Sequence, residues 1–246
     1  KAIAGKKKVV LELGGNAAAV IDENADLDWA IQRCAWGGYY YSGQNCIHVQ
    51  HILCHEKIFG AFVKGFIARV KKHMLGDPME HDTDMSVMID EENARRAEGW
   101  LQDALKKGGK LLYRGTVPKG LPKPAGLKMI APVVLTKVPR VCDISCKEAF
   151  APVVLIDPFK DFDEALRRVN DSVFGLQAGV FTQDLAKAWR AFETLDVGGV
   201  IINDVPTFRV DNMPYGGIKD SGFGREGVKY AIEDMTERKV LVLHLS

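Results

Sequence analysis

The sequence predicts an α/β protein built on a mostly parallel sheet flanked by helices. Three observations point there. Apolar runs of strand length alternate along the chain with helix-length stretches whose apolar residues recur every three or four positions. Gly, Asp and Pro punctuate the junctions between them. With 246 residues, 47% hydrophobic and 26% charged, the chain carries enough apolar surface for a sizeable core, in one large or two small domains.

Taken in order, residues 8–13 and 17–22 read as short buried strands separated by Gly14-Gly15. Asp26 supplies an N-cap. Leu27, Ala30, Ile31, Cys34 and Ala35 then fall on one helical face, in a helix that runs to about Tyr41 and stops before Gly43. Residues 47–54 read as a strand. Phe59, Phe62, Val63, Phe66, Ile67 and Val70 form an aromatic helical stripe that belongs in a core. Gly76-Asp77-Pro78 ends that unit. A helix over 90–107 buries Ala94, Ala97, Leu101 and Leu105, and 110–114 is a strand. Residues 115–127, rich in Gly, Pro and Lys, read as a surface excursion. Strands at 132–138 and 152–157, a helix at 161–170, a strand at 178–182, a helix at 183–195 and a strand at 199–203 complete the alternation. Residues 204–227 hold five glycines and little periodicity, which marks a functional loop. A helix near 225–234 and a terminal strand at 240–245 close the chain. Gly222, Gly224 and Gly227 spell G-x-G-x-x-G, but that fingerprint belongs directly after a strand in a βαβ unit. The nearest expected strand ends some twenty residues earlier, so these glycines read as loop backbone.

Composition excludes several classes. A net charge of +1 gives no general attraction to nucleic acid or anionic membranes. Every apolar run is shorter than a membrane span. Five cysteines, an odd number, argue against a disulfide framework and for a reducing, cytoplasmic compartment. Cys142 and Cys146 lack a second pair at zinc-like spacing. His48 and His51 lie on opposite faces of one strand, so no metal site is read there.

Two stretches carry chemistry. Gly43-Gln44-Asn45-Cys46 is a Gly-led turn between a helix and a strand, a rigid place for a thiol nucleophile. Upstream, Glu12 ends an apolar run just before two glycines, where a carboxylate can serve as general base. Singly, each has an ordinary reading: a buried cysteine and a solvated glutamate.

Leu-Glu-Leu-Gly-Gly-Asn at 11–16, Gly-Gln-Asn-Cys at 43–46, Lys-Glu-Ala-Phe-Ala-Pro at 147–152 and Pro-Tyr-Gly-Gly-Ile-Lys-Asp-Ser-Gly at 214–222 resemble, in order and spacing, the signatures of the NAD(P)-dependent aldehyde dehydrogenase superfamily. The similarity runs from about residue 8 to about residue 240. It implies the catalytic-domain type of fold. It implies oxidation of an aldehyde to an acid, with NAD or NADP, through a thiohemiacetal and a thioester on Cys46. By the same resemblance Glu12 is the general base. Glu148 holds the nicotinamide ribose, Phe150 packs beside the nicotinamide, and Gly14 stands with them on the cofactor side. Ala151 occupies a position where the family usually has Gly. Ile47, Phe208, Arg209 and Tyr215 are the candidate substrate contacts. Tyr215 matches a position that lines the aldehyde tunnel, and the Arg209 guanidinium suits an anionic or hydroxylated aldehyde.

Family members are about twice this long. The resemblance therefore implies the C-terminal half: 1–14 as the tail of a cofactor-binding domain and hinge, 15–238 as catalytic domain, 239–246 as an assembly strand in a homo-oligomer, dimer or tetramer. These residues alone are expected to fold, to hold only the nicotinamide end of the cofactor, and to lack dehydrogenase turnover. Two other readings remain: a non-catalytic binding or assembly domain that keeps the fold, and a thiol hydrolase using Cys46 without nicotinamide.

Overall fold

The structure is a computed structural model that describes residues 2–121 and 128–245. Residues 122–127 of the surface excursion lie outside the described part. The elements in chain order are β1 (Leu11–Glu12), β2 (Ala17–Ile21), α1 (Leu27–Tyr39), β3 (Val49–His55), α2 (Glu56–Val70), α3 (Glu91–Lys106), β4 (Lys110–Arg114), β5 (Val133–Thr136), α4 (Asp143–Cys146), β6 (Val153–Phe159), α5 (Phe162–Asn170), β7 (Phe174–Gly175), β8 (Gln177–Phe181), α6 (Leu185–Thr194), β9 (Gly199–Ile202), β10 (Ile218–Lys219), β11 (Gly222–Phe223) and α7 (Val228–Met235).

Seven strands form the main sheet in the order β4-β5-β6-β3-β2-β8-β9. Every neighbouring pair is parallel except β4 with β5. Parallel sheets are covered on both faces, so their strands read as continuous apolar runs. The five residues of β2, Ala-Ala-Ala-Val-Ile, are all buried, as that rule requires. Their side chains divide by parity. Ala19 and Ile21 join the core under α1 and α2 with Phe62, Phe66 and Val70, while Val20 joins the opposite core with Leu166, Val180 and Ala191. A third cluster sets Ala97, Leu101 and Ala104 of α3 against Val133, Leu135, Val153 and Leu155.

Local chemistry fixes the helix starts. Asp26 accepts from Trp29 N (3.0 Å), Asp90 from Asn93 N (2.6 Å), Asp161 from Glu164 N (2.9 Å) and Asp184 from Ala186 N (2.8 Å). The cap expected at Asp26 is present, and the face expected for the first helix is the buried one.

Three expectations need correction. Residues 8–13 do not form a buried strand: only Leu11–Glu12 pair, antiparallel to Gly222–Phe223 and outside the main sheet. The segment 204–227 is not strand-free, since β10 pairs with β7 and β11 with β1. Two-residue strands carry no readable period, which is why both were missed. The one-turn helix α4 was missed for the same reason. The terminal run 240–245 belongs to no sheet of this chain, and its five apolar side chains are 70–93% exposed.

Candidate active site

The site gathers at the amino ends of the central parallel strands. Gly15 precedes β2, Cys46 precedes β3, Glu148 precedes β6 and Leu176 precedes β8. This is opposite to the carboxyl-end crevice where doubly wound sheets commonly bind ligands. Glu12 is brought in from outside the sheet by the β1–β11 pairing.

The turn that presents Cys46 is strained into place. Tyr41 and Ser42 have φ of 52° and 56°, in the left-handed region, and Gly43 follows at 71°. A Cβ at Gly43 would stand 2.2 Å from the Ala151 carbonyl oxygen, so this turn and the 147–152 loop touch backbone to backbone. Gln44 ties the turn down by donating to Val87 O (3.2 Å) and accepting from Ile89 N (2.8 Å). Thr207 Oγ1 donates to Ile47 O (2.9 Å). A Cβ at Gly15 would stand only 2.0 Å from the Cys46 carbonyl oxygen. Glycine there is a requirement of close approach.

Cys46 Sγ lies 3.0 Å from Tyr215 Oη. Burial pushes the thiol above its ordinary range, the Tyr215 hydrogen bond opposes this, and the Glu148 and Glu12 carboxylates add to it. Glu12 is itself raised, by burial first and then by Glu226, while Arg209 and Arg225 pull it back. Its Oε1 is buried without a hydrogen-bond partner. A carboxylate so placed is poised to take a proton. Glu148 Oε1 accepts from Gly15 N (2.8 Å), and burial raises this carboxyl too. A Cβ at Gly14 would lie 2.9 Å from Glu148 Oε2, so Gly14 clears room for that carboxylate. Phe150 sits in the left-handed region at φ 47°. Ala151 is fully buried and its methyl joins the α3 core, so the residue that departs from the family's usual glycine is accommodated.

Beside Cys46 opens a cavity of about 480 Å³ lined by Ile47, Phe208, Arg209, Asn45, Trp36 and Tyr40, among others. Three of the four residues expected to contact substrate thus line one space. Tyr215 does not line that space; it packs behind Ile47 with Leu176, against Cys46. Arg209 stacks over the Tyr215 ring, 4.1 Å from its centroid, and pairs with Glu226 at 3.1 Å. Arg33 at the rim is bonded to Asp204 at 2.6 Å and stacked on Trp36, 4.4 Å from its centroid.

Sequence reasoning missed Trp36, Tyr40, Asn45 and Glu226. Trp36 and Tyr40 lie four residues apart, a helical repeat off the buried face of α1. Asn45 stands inside the motif itself, and its Nδ2 is buried without a partner. Glu226 lies within the glycine pattern read as plain loop. The histidines go to three different carbonyls: His48 to Gly38 O (2.9 Å), His51 to Ser145 O (2.9 Å) and His55 to Lys160 O (3.1 Å). Among the described residues no three His, Cys, Asp or Glu side chains are grouped to hold a metal.

The family model for the aldehyde dehydrogenase family matches residues 1–241. The chain belongs to the aldehyde dehydrogenase family. It is 42% identical over 242 residues to the 3-sulfolactaldehyde dehydrogenase of Priestia aryabhattai, covering 98% of this chain and 49% of that protein. It is 40% identical over 241 residues to the lactaldehyde dehydrogenase of Methanococcus aeolicus, covering 98% of this chain and 50% of that one. Among solved structures, aldehyde dehydrogenase 21 of Physcomitrella patens, in complex with its reaction product succinate, superposes with a TM-score of 0.91 at 50% identity, over 98% of this chain and 49% of that one. The NADP complex of glyceraldehyde-3-phosphate dehydrogenase GapN from Methanocaldococcus jannaschii gives 0.86 at 39% identity, over 94% and 49%. The chain spans about half the length of the relatives it matches.

Proposed function

We propose that these residues are the catalytic half of an NAD(P)-dependent aldehyde dehydrogenase acting on a small aldehyde that carries an anionic group. The reading rests on one juxtaposition: a half-buried thiol, Cys46, with the Glu12 carboxylate, whose Oε1 has no partner, close enough for their charges to interact. The Cys46 sulfur adds to the aldehyde carbon and the carbonyl electron pair moves to oxygen, giving a thiohemiacetal. The Cys46 backbone N–H stands at the atom that attacks, where it can serve that oxyanion. NAD(P), held at its nicotinamide end by Glu148 and Phe150, would supply the hydride acceptor needed to bring this adduct to the thioester. Glu12 then takes a proton from water as it attacks the thioester.

The residues present fit the nicotinamide end of such a cofactor. Gly15 holds one Glu148 oxygen and leaves Oε2 for the ribose hydroxyls. The anionic preference is carried by Arg209, which lines the cavity next to Cys46 and shares its guanidinium with Glu226 at 3.1 Å. A planar guanidinium suits a carboxylate. The solved relative that holds succinate makes succinate semialdehyde the natural probe.

The test is protection of Cys46 from iodoacetamide. Succinate semialdehyde is expected to protect at lower concentration than butanal, and Arg209→Met to remove the difference. Equal protection in wild type removes the anionic preference. No protection by any aldehyde removes the nucleophile assignment.

Assembly and setting belong to the same proposal. The exposed apolar run 240–245 is a hazard if left bare, and pairing it with a neighbouring subunit in a dimer or tetramer covers it. A particle size unchanged by deleting 240–246 contradicts this. The five cysteines are free thiols, which suits a reducing, cytoplasmic compartment. Among the described residues no helix is long and apolar enough to cross a membrane.

A further inference from the structure

We propose that Tyr215 is a catalytic residue of this site: its phenolic hydroxyl is the donor that stabilises the Cys46 thiolate and aims its sulfur. This rests on Cys46 being the nucleophile.

A thiolate at neutral pH needs help. Enzymes commonly supply it from a histidine, a nearby cation or a helix N-terminus. Around Cys46 the environment runs the other way. The strongest influence is burial, and the charges that reach the sulfur are the carboxylates of Glu148, from the loop before β6, and Glu12, from β1. All three disfavour the anion. The groups that favour it are the Tyr215 hydroxyl, from the 204–217 loop, and the residue's own backbone N–H. Arg209 reaches the sulfur through the tyrosine. It lies 4.1 Å from the ring centroid, where it draws electron density from the ring and makes the hydroxyl a stronger donor.

The tyrosine is built to stay. It is 3% exposed and wedged with Ile47 and Leu176. Its backbone is clamped to Glu226 by two hydrogen bonds, Tyr215 N to Glu226 O (3.1 Å) and Glu226 N to Tyr215 O (2.6 Å). Burial, the Cys46 contact and Glu12 push its own ionisation far above the ordinary range, so it keeps its proton. Once Cys46 has lost its proton, to Glu12 or to water, the 3.0 Å contact has one donor only, the phenol. The step balances: the thiol proton goes to the base, the sulfur pair forms the bond to the substrate carbon, and the phenol proton does not move.

The experiment is the pH dependence of Cys46 alkylation by iodoacetamide in the 246-residue chain, resolved by peptide mass spectrometry. It needs neither cofactor nor aldehyde, so a failed dehydrogenase assay and a failed test of Tyr215 are distinct results. A hydrogen bond to a charged group is worth enough to move the alkylation midpoint upward by at least about one pH unit in Tyr215→Phe. Cys34, Cys54 and Cys142 are buried, so their continued protection shows that the variant is folded. Site-specific 3-fluorotyrosine at 215, a stronger donor of nearly the same shape, is expected to lower the midpoint. A folded Tyr215→Phe with the wild-type midpoint overturns the proposal. If Tyr215→Phe exposes the buried cysteines, the fluorotyrosine protein decides, and an unchanged midpoint there overturns it as well.

Discussion

The main sheet and the small two-residue ladders beside it divide the work of the molecule. The sheet with α1–α3, α5 and α6 holds the apolar clusters, and among the described parts it gives Cys46 its fixed perch before β3. The ladders β1–β11 and β7–β10 bury little, yet they bring Glu12 and the Tyr215 loop onto that cysteine. The core and the perch of the proposed nucleophile lie in one region, the proposed proton acceptor in the other. Breaking one should therefore leave much of the other intact, and each variant below probes that separation.

The largest expected effect is Cys46→Ala. Chemistry on aldehydes or activated esters should fall at least about a hundredfold, with unfolding unchanged within about 1 kcal/mol, because a half-buried thiol contributes little packing beyond its methylene. Residual turnover above about a hundredth, measured against wild type, would move the nucleophile elsewhere.

Glycine substitutions sharpen the contrast within the sheet region. Gly15→Ala drives a methyl into the Cys46 carbonyl, 2.0 Å from the new Cβ. It should destabilise by more than about 1 kcal/mol and slow Cys46 alkylation. Gly60→Ala, on the open face of α2 with nothing within 4 Å, should instead stabilise by about 0.5–1 kcal/mol. Denaturant titration of both variants reads the two signs.

How far the sequence carried differs between the regions for a physical reason. Periodicity works where many residues share one environment. The Phe62, Phe66 and Val70 stripe, the all-buried run Ala17–Ile21 and the Asp26 cap were legible because each repeats a rule over a full element. β11 has two residues, and their partners Leu11 and Glu12 lie at the far end of the chain, so no local pattern marks it. Cys46 and Glu12, the proposed nucleophile and base, were singled out through motifs in register. The cavity wall was not: Trp36 on α1 and Tyr40 just after it belong to no motif, and the buried Asn45 Nδ2 lacks a partner only in three dimensions.

A smaller, pH-dependent effect belongs to the sheet. His48 is buried against Gly38 O and its ionisation is lowered from 6.5 to about 4, by burial. The unfolded chain takes up a proton below about pH 6.5 and the folded one does not, so stability present above that pH is lost as pH falls toward 4. His48→Gln should flatten the decline of the thermal midpoint between those pH values. An unchanged slope would assign the acid sensitivity elsewhere.

The central claim is that a residue outside the main sheet does the proton work for a nucleophile inside it. Glu12→Gln, given p-nitrophenyl acetate, tests this most directly, because the ester acylates Cys46 without any cofactor. The account predicts a burst of nitrophenol, slow release afterwards and an acetyl group accumulating on the Cys46 peptide, whereas wild type turns over with little label. Wild-type steady turnover in Glu12→Gln, with no acetyl on Cys46, would contradict it.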